Sequence, residues 1–129
     1  EILFRGKRID NSEWVEGDLS YHVHDGEVYV FPSNGYDSQD CYKVDPETVC
    51  QYTGLTDKGS RKIWENDIIR YNKKLFRAAW EADCTHFSAY PLDKEIRYAP
   101  CLNIGTMKSV EVVGNIFDNP DSPHAINSV

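Results

Sequence analysis

Among the 129 residues, His22 and His24, with Cys84 and His86, come closest in type and spacing to a metal site. On a strand, residues two apart point to the same side, so His22-x-His24 and Cys84-x-His86 can each present two ligands to one point. Together the two pairs would make a Cys-His₃ tetrahedron for zinc. A secure zinc signature needs closely paired ligands at a recognised spacing, and these pairs stand far apart in the chain. The plainer reading, solvent-facing His and an ordinary Cys on edge strands, is preferred, and no cofactor is expected.

Paired acids are the next possibility. Glu65 and Asp67 flank Asn66, and Asp45 and Glu47 flank Pro46. General acid–base work needs two carboxyls held across a cleft in different environments, which two acids inside one turn do not provide. They read instead as caps and turn formers. No phosphate-cradling glycine loop, H-E-x-x-H or G-x-S-x-G occurs, so an enzyme is not expected.

A third group is basic and aromatic: Arg70, Lys73, Lys74 and Arg77, with Arg61-Lys62, Trp64, Phe76 and Trp80 nearby in sequence. Small β-barrels bind single-stranded nucleic acid by stacking bases on exposed rings while cations follow the phosphates. Alternation along the chain puts Phe76, Ala78 and Trp80 on one face, with Arg77 and Glu81 on the other, so the rings are expected to fill a core. The formal net charge of −7 also repels a phosphate backbone. Nucleic acid is therefore the disfavoured partner.

The elements that would position these residues are mostly strands. Eight Tyr, five Phe and three Trp, with abundant Val and Ile, favour pleated structure. Ile2-Leu3-Phe4 and Trp14 to Leu19 predict a hairpin, and His22-Val23-His24 with Glu27 to Phe31 predict a second one across Asp25-Gly26. Pro32 to Asp40 reads as an exposed loop. Asp45-Pro46-Glu47-Thr48 reads as a capped helix start, with Gly54 as its stop, giving one short helix near residues 45–52. Asp57-Lys58-Gly59 and Glu65-Asn66-Asp67 predict reversals, followed by strands from Asp67 to Tyr71 and Leu75 to Glu81. Asp93 to Ile96 can hold one helical turn. Val110 to Phe117 is apolar on both sides, which implies a strand buried on both faces or an oligomer contact on one. The tail from Asp121 carries His124 without a fixed neighbour.

The expected fold is mainly β, an N-terminal meander followed by a small SH3-like barrel or coiled antiparallel sheets. One domain over 1–129 is the default at this length, divided as meander and loop 1–43, capped turn region 44–67, barrel-like half 68–118 and tail 119–129. The cysteines Cys41, Cys50, Cys84 and Cys101 show no C-x-x-C pair and read as small, reduced, buried or half-buried hydrophobes. No apolar run approaches the roughly 20 residues of a membrane span, so a cytoplasmic protein with no membrane partner is expected.

Three blocks, FRGKRIDNSEWVEGDL, VDPETVCQYTGLTDKGSRKIWENDIIRY and VEVVGNIFDNPD, in this order, resemble the YopX-like family of small phage- and prophage-encoded proteins. Asn66 stands where that family usually places Gly, and 76–107 matches no block. The resemblance implies a homo-oligomer, with a trimer as the implied state and strongly coiled sheets, inside a bacterial host cell. It implies no activity. With the acidic balance, it points to a non-enzymatic interaction module acting on a host or phage protein, with Val28 to Phe31 and Val110 to Phe117 as expected contact strands. Nucleic-acid binding and zinc binding are the alternatives.

Overall fold

Gly6 and Gly17, both in the first sequence block, let the N-terminal strands coil tightly. The computed structural model describes residues 2–32, 40–82, 85–102 and 108–120. Residues 33–39 of the expected loop, Cys84 and the tail from Asp121 lie outside the described residues. The chain divides into two compact units, Glu1–Tyr52 and Thr53–Val129.

In the first unit, β1 (Phe4–Lys7), β2 (Trp14–Tyr21), β3 (Val28–Pro32) and β4 (Tyr42–Val44) form an antiparallel meander, and the start of β5 (Cys50–Thr56) pairs on the other side of β1. The meander coils until β4 returns to the end of β1. Ile9 N–H donates to the Lys43 carbonyl (3.1 Å) and Asp45 N–H to the Lys7 carbonyl (2.9 Å), with Arg8 bridging Val44. Val44, fully buried, closes over Gly6: a β-carbon there would lie 2.9 Å from both Val44 Cβ and Cγ2. Val28 and Val30 complete this small core, with Val15 and Val49 packed against it.

The short helix expected near 45–52 is a single 3-10 turn, Pro46–Thr48, capped by Asp45, whose carboxylate accepts the Glu47 N–H (3.1 Å). Thr48 Oγ1 takes the Lys7 N–H (2.9 Å) and Tyr52 N–H donates to the Leu3 carbonyl (2.8 Å). Pairing with β1 thus draws the chain into strand from Cys50 on. Gly54, the expected helix stop, lies inside β5 at φ +85°.

The second hairpin also differs from expectation. β2 ends at Tyr21 and the reversal spans His22 to Gly26, because Gly26 N–H donates back to the His22 carbonyl (2.8 Å) and Asp25 Oδ1 accepts the Glu27 N–H (2.9 Å). The reversal closes over five residues rather than the two of Asp25-Gly26, and His24 is in the turn rather than on a strand. β3 sits between β2 and β4, so Val28 to Phe31, an expected contact strand, is an interior strand with both edges paired.

In the second unit, β6 (Lys62–Trp64) follows the end of β5. A four-stranded antiparallel sheet then has the order β10-β7-β8-β9, with β7 Asp67–Tyr71, β8 Lys74–Glu81, β9 His86–Pro91 and β10 Val110–Asn115. Ile69, Phe76, Ala78, Ala89, Val110 and Val112 share one face and bury with Ile63, Phe87 and Leu102. Ile68 and Leu75 on the other face are covered by Leu92, Val113 and Ile116. The strand from Val110 buries Val110 and Val112 on one face, whereas on the other Val113 is half-buried and Glu111 is part-exposed, so the second face is covered only in part. Trp80 departs from its expected core place: it is 47% exposed and meets Phe87 edge-on at 5.0 Å.

Among the described residues no closed barrel forms. The outer edge of β10 is met by the 57–61 loop and that of β9 by residues 100–102, instead of by each other. Asp57 organises the first of these seals. Its carboxylate accepts N–H groups from Gly59, Arg61 and Val112, each at 2.9 Å. Burial acts to raise this carboxyl, but the three N–H bonds and the Arg61 charge outweigh it and hold the pKa below the ordinary value.

Candidate functional site

The sequence blocks that fix the turns leave little room for chemistry. Asp67 Oδ2 accepts Trp64 N–H (2.8 Å), and Asn66, at φ +70°, donates its N–H to the Ala78 carbonyl (2.7 Å). Asn115 Oδ1 accepts the N–H groups of Phe117 and Asp118 (3.0 and 2.9 Å). Of the acids, Glu65 sits in a turn, Asp67 opens β7 and closes that turn through its side chain, Asp45 caps the 3-10 turn and Glu47 lies within it, in the capping and turn-forming roles read from the sequence.

Three of the four metal candidates lie among the described residues. His22 stacks on Tyr29 (4.3 Å, 28°) in the first unit, His24 is exposed in the turn, His86 opens β9 in the second unit, and Cys84 lies outside the described residues. Among the described residues no group of three or more His, Cys, Asp or Glu is placed to hold a metal ion.

The four cations divide across the β7–β8 hairpin. Arg70 and Arg77 share the face of Ile68 and Leu75, Lys74 lies on the opposite face across from Tyr71, and Lys73 is in the two-residue turn at φ +64°. Arg70 pairs with Glu111 (3.2 Å), which also holds Lys58 (3.3 Å). Arg77 donates to Asn66 Oδ1 (2.9 Å) and stands 5.9 Å from the Tyr90 ring. Strand alternation separates charges that are adjacent in sequence, and the two arginines are engaged within the fold.

A groove of about 360 Å³ on the first unit is lined by Arg8, Asp10, Tyr29, Tyr42 and Lys43. Its cations are matched internally. Arg8 makes a two-pronged bond to Asp10 (2.9 and 2.6 Å) and stacks on Tyr42 (4.1 Å), while Lys43 pairs with Glu27 (3.1 Å). The hydrogen bond from Arg8 holds the Asp10 carboxyl below its usual range.

Charge is distributed unevenly. Residues 1–52 hold four Lys and Arg against eleven Asp and Glu, whereas residues 53–129 hold ten of each. The whole net charge therefore belongs to the first unit, where Asp10, Glu13, Glu16, Asp18 and Asp25 are exposed. The same unit exposes a row of apolar side chains at the β2–β3 end: Leu19 (37%), Tyr21 (64%) and Val23 (83%). Leu19 and Tyr21 share a face by the period of two, Asp18 points to the opposite face of β2, and Asp25 lies in the turn after Val23. Sequence reading missed this strip, because alternation in β2 matched a strand whose apolar face would be covered. Exposure of Tyr21 is decided by where the coil ends.

Sequence reading also missed a second pair. Residues 100–102 run along the edge of β9, with Ala89 N–H to the Pro100 carbonyl (2.9 Å) and Leu102 N–H to the Phe87 carbonyl (3.0 Å). This brings exposed Cys101 Sγ to 3.8 Å from His86 Nε2, across a separation of 15 residues that no local spacing rule detects. Of the cysteines expected to be buried or half-buried, Cys50 is buried and Cys41 half-buried, whereas Cys101 is exposed.

Among the described residues, no helix is long and apolar enough to cross a membrane. In comparison with known proteins, the family model described as YopX protein matches residues 3–122. No curated protein matches the chain.

Proposed function

The chain belongs to the YopX protein family, and from that premise we propose that it is a non-enzymatic interaction module that engages a basic protein surface through its acidic N-terminal unit. The observation that carries this reading is the exposed row Leu19, Tyr21 and Val23 inside the unit that holds the entire net charge. Exposed apolar side chains within an acidic unit suit a protein partner: the apolar row supplies affinity, and the negative charge of the unit selects and steers a basic counterpart. In the setting suggested by the family, that partner is a host or phage protein in the cytoplasm of the bacterial cell. Self-association, with a trimer as the implied state, belongs to the same proposal. It would use faces, since β3 is interior and the outer edges of β9 and β10 are already met by the chain.

The test is capture by the tagged chain from lysate of an infected or lysogenic host, split into nuclease-treated and untreated halves. A protein partner that survives nuclease and is lost when Tyr21→Ser and Val23→Ser are combined supports the reading. Capture that vanishes with nuclease, or that is indifferent to both substitutions, overturns it. Sedimentation of the purified chain reads the oligomeric state directly.

A further inference from the structure

We propose that Cys101 is a modification site, a surface thiol that forms a mixed disulfide with a small-molecule disulfide, with His86 as its base. The observation is a nucleophile and a base set by the fold at contact distance, not a thiol alone. Cys101 Sγ is 3.8 Å from His86 Nε2, and the Cys101 backbone is fixed by the antiparallel bridge to Ser88 and the hydrogen bonds on either side of it. That register puts His86, Ser88 and Cys101 on one face of the sheet.

The far side of the ring is held as well. His86 Nδ1 lies 3.1 Å from the Phe87 carbonyl oxygen and 3.2 Å from Ser88 Oγ. A carbonyl only accepts, so the tautomer with the proton on Nδ1 satisfies this contact, and in that tautomer Nε2 turns its lone pair to the Cys101 thiol. A nucleophile whose base is itself oriented by a third group is the arrangement that activates Ser and Cys in many unrelated folds. Glu81 stands opposite His86 in the β8–β9 register, placing a carboxylate on the face where the imidazolium forms.

The step balances without a further reagent. Nε2 takes the thiol proton, Cys101 Sγ attacks one sulfur of R–S–S–R, a new Cys101 Sγ–S bond forms as the S–S bond of R–S–S–R breaks, and the other half leaves as the thiolate RS⁻, which takes the proton back from His86. Cys101 is oxidised and the departing half is reduced. Cys50 provides an internal contrast, since it is fully buried and its Sγ donates to the Thr48 carbonyl (3.2 Å).

The experiment uses the reduced full chain with two probes, oxidised glutathione and an aromatic disulfide that releases a coloured thiolate, and maps modified cysteines by mass spectrometry. Cys101 is expected to react first, about tenfold or more faster than in the same chain unfolded in guanidinium chloride. His86→Gln is expected to slow it about tenfold, Ser88→Ala to slow it less, and Cys101→Ser to abolish the fast phase. Protection of Cys50 reports that each variant is folded; if His86→Gln exposes Cys50, the near-isosteric Ser88→Ala decides. Fast modification at Cys41 or Cys84 in place of Cys101, or wild-type rates in folded His86→Gln, overturns the proposal.

Discussion

The backbone of Gly17 runs against the carbonyl of Phe31 so closely that a β-carbon on Gly17 would lie 2.6 Å from the Phe31 carbonyl carbon and overlap its oxygen. Neither side of this contact is a flexible side chain, so neither can give way. Gly17→Ala is expected to cost more than about 3 kcal/mol, and Gly6→Ala, which meets the Val44 side chain, about 1–3 kcal/mol. Gly59→Ala is the control: its β-carbon would meet only Asp57 Oδ1 at 3.5 Å, and it should leave stability unchanged or raise it by about 0.5 kcal/mol. Urea midpoints that fail to rank in this order would refute the account of the coil.

Asp57 makes the second unit sensitive to acid. Its carboxyl is held below the ordinary value in the folded state, so its contribution is complete above the unfolded pKa of about 3.9 and is lost as pH falls through the folded pKa. The wild-type chain should therefore lose stability below about pH 4 more steeply than Asp57→Asn, which has no carboxyl to protonate. Asp57→Ala, which strands the N–H groups of Gly59, Arg61 and Val112, should cost about 2–4 kcal/mol at neutral pH. Equal acid slopes in wild type and Asp57→Asn would remove the claim.

Asn66 holds a left-handed turn and also accepts from Arg77. Asn66→Gly relieves the backbone but gives up that hydrogen bond, so the two effects should nearly cancel, within about 1 kcal/mol. Asn66→Val keeps neither advantage and should cost about 2 kcal/mol or more. Thermal unfolding of the two variants separates the backbone effect from the side-chain effect.

The acidic unit predicts a specific salt response. Replacing Asp18 and Asp25 with Lys should slow association with the captured partner about tenfold while leaving dissociation nearly unchanged, and added salt should slow the wild type likewise. Tyr21→Ser should act the other way round, speeding dissociation. Surface plasmon resonance on the recovered partner distinguishes the two; identical effects on both rates would show that charge and row are not separate.

Much of the fold was legible in local sequence because turns are local. Asp45 ahead of Pro46, Asp57 ahead of Gly59 and Asn66 ahead of Asp67 each fix a reversal through bonds that span only a few residues. Alternation likewise gave β7 with β8, whereas the first strand, expected at residues 2–4, runs instead as β1 over Phe4–Lys7 before pairing with β2. The short helix near 45–52 shrank to a single turn because Lys7 and Leu3, some forty residues earlier, supply sheet hydrogen bonds to Thr48 and Tyr52 that the local propensity of 45–52 cannot reveal.

The sequence by itself determined a mainly β chain, several of its turn positions, its acidic balance and its family. Only the tertiary structure decided which alternating residues end up covered and which distant residues meet. Coiling closed Val44 over Gly6 yet left Leu19 and Tyr21 outside, and the return of residues 100–102 along β9 put Cys101 beside His86. Both outcomes depend on contacts between segments far apart in the chain, whose geometry is set by the packing of whole strands rather than by the spacing of residues within them.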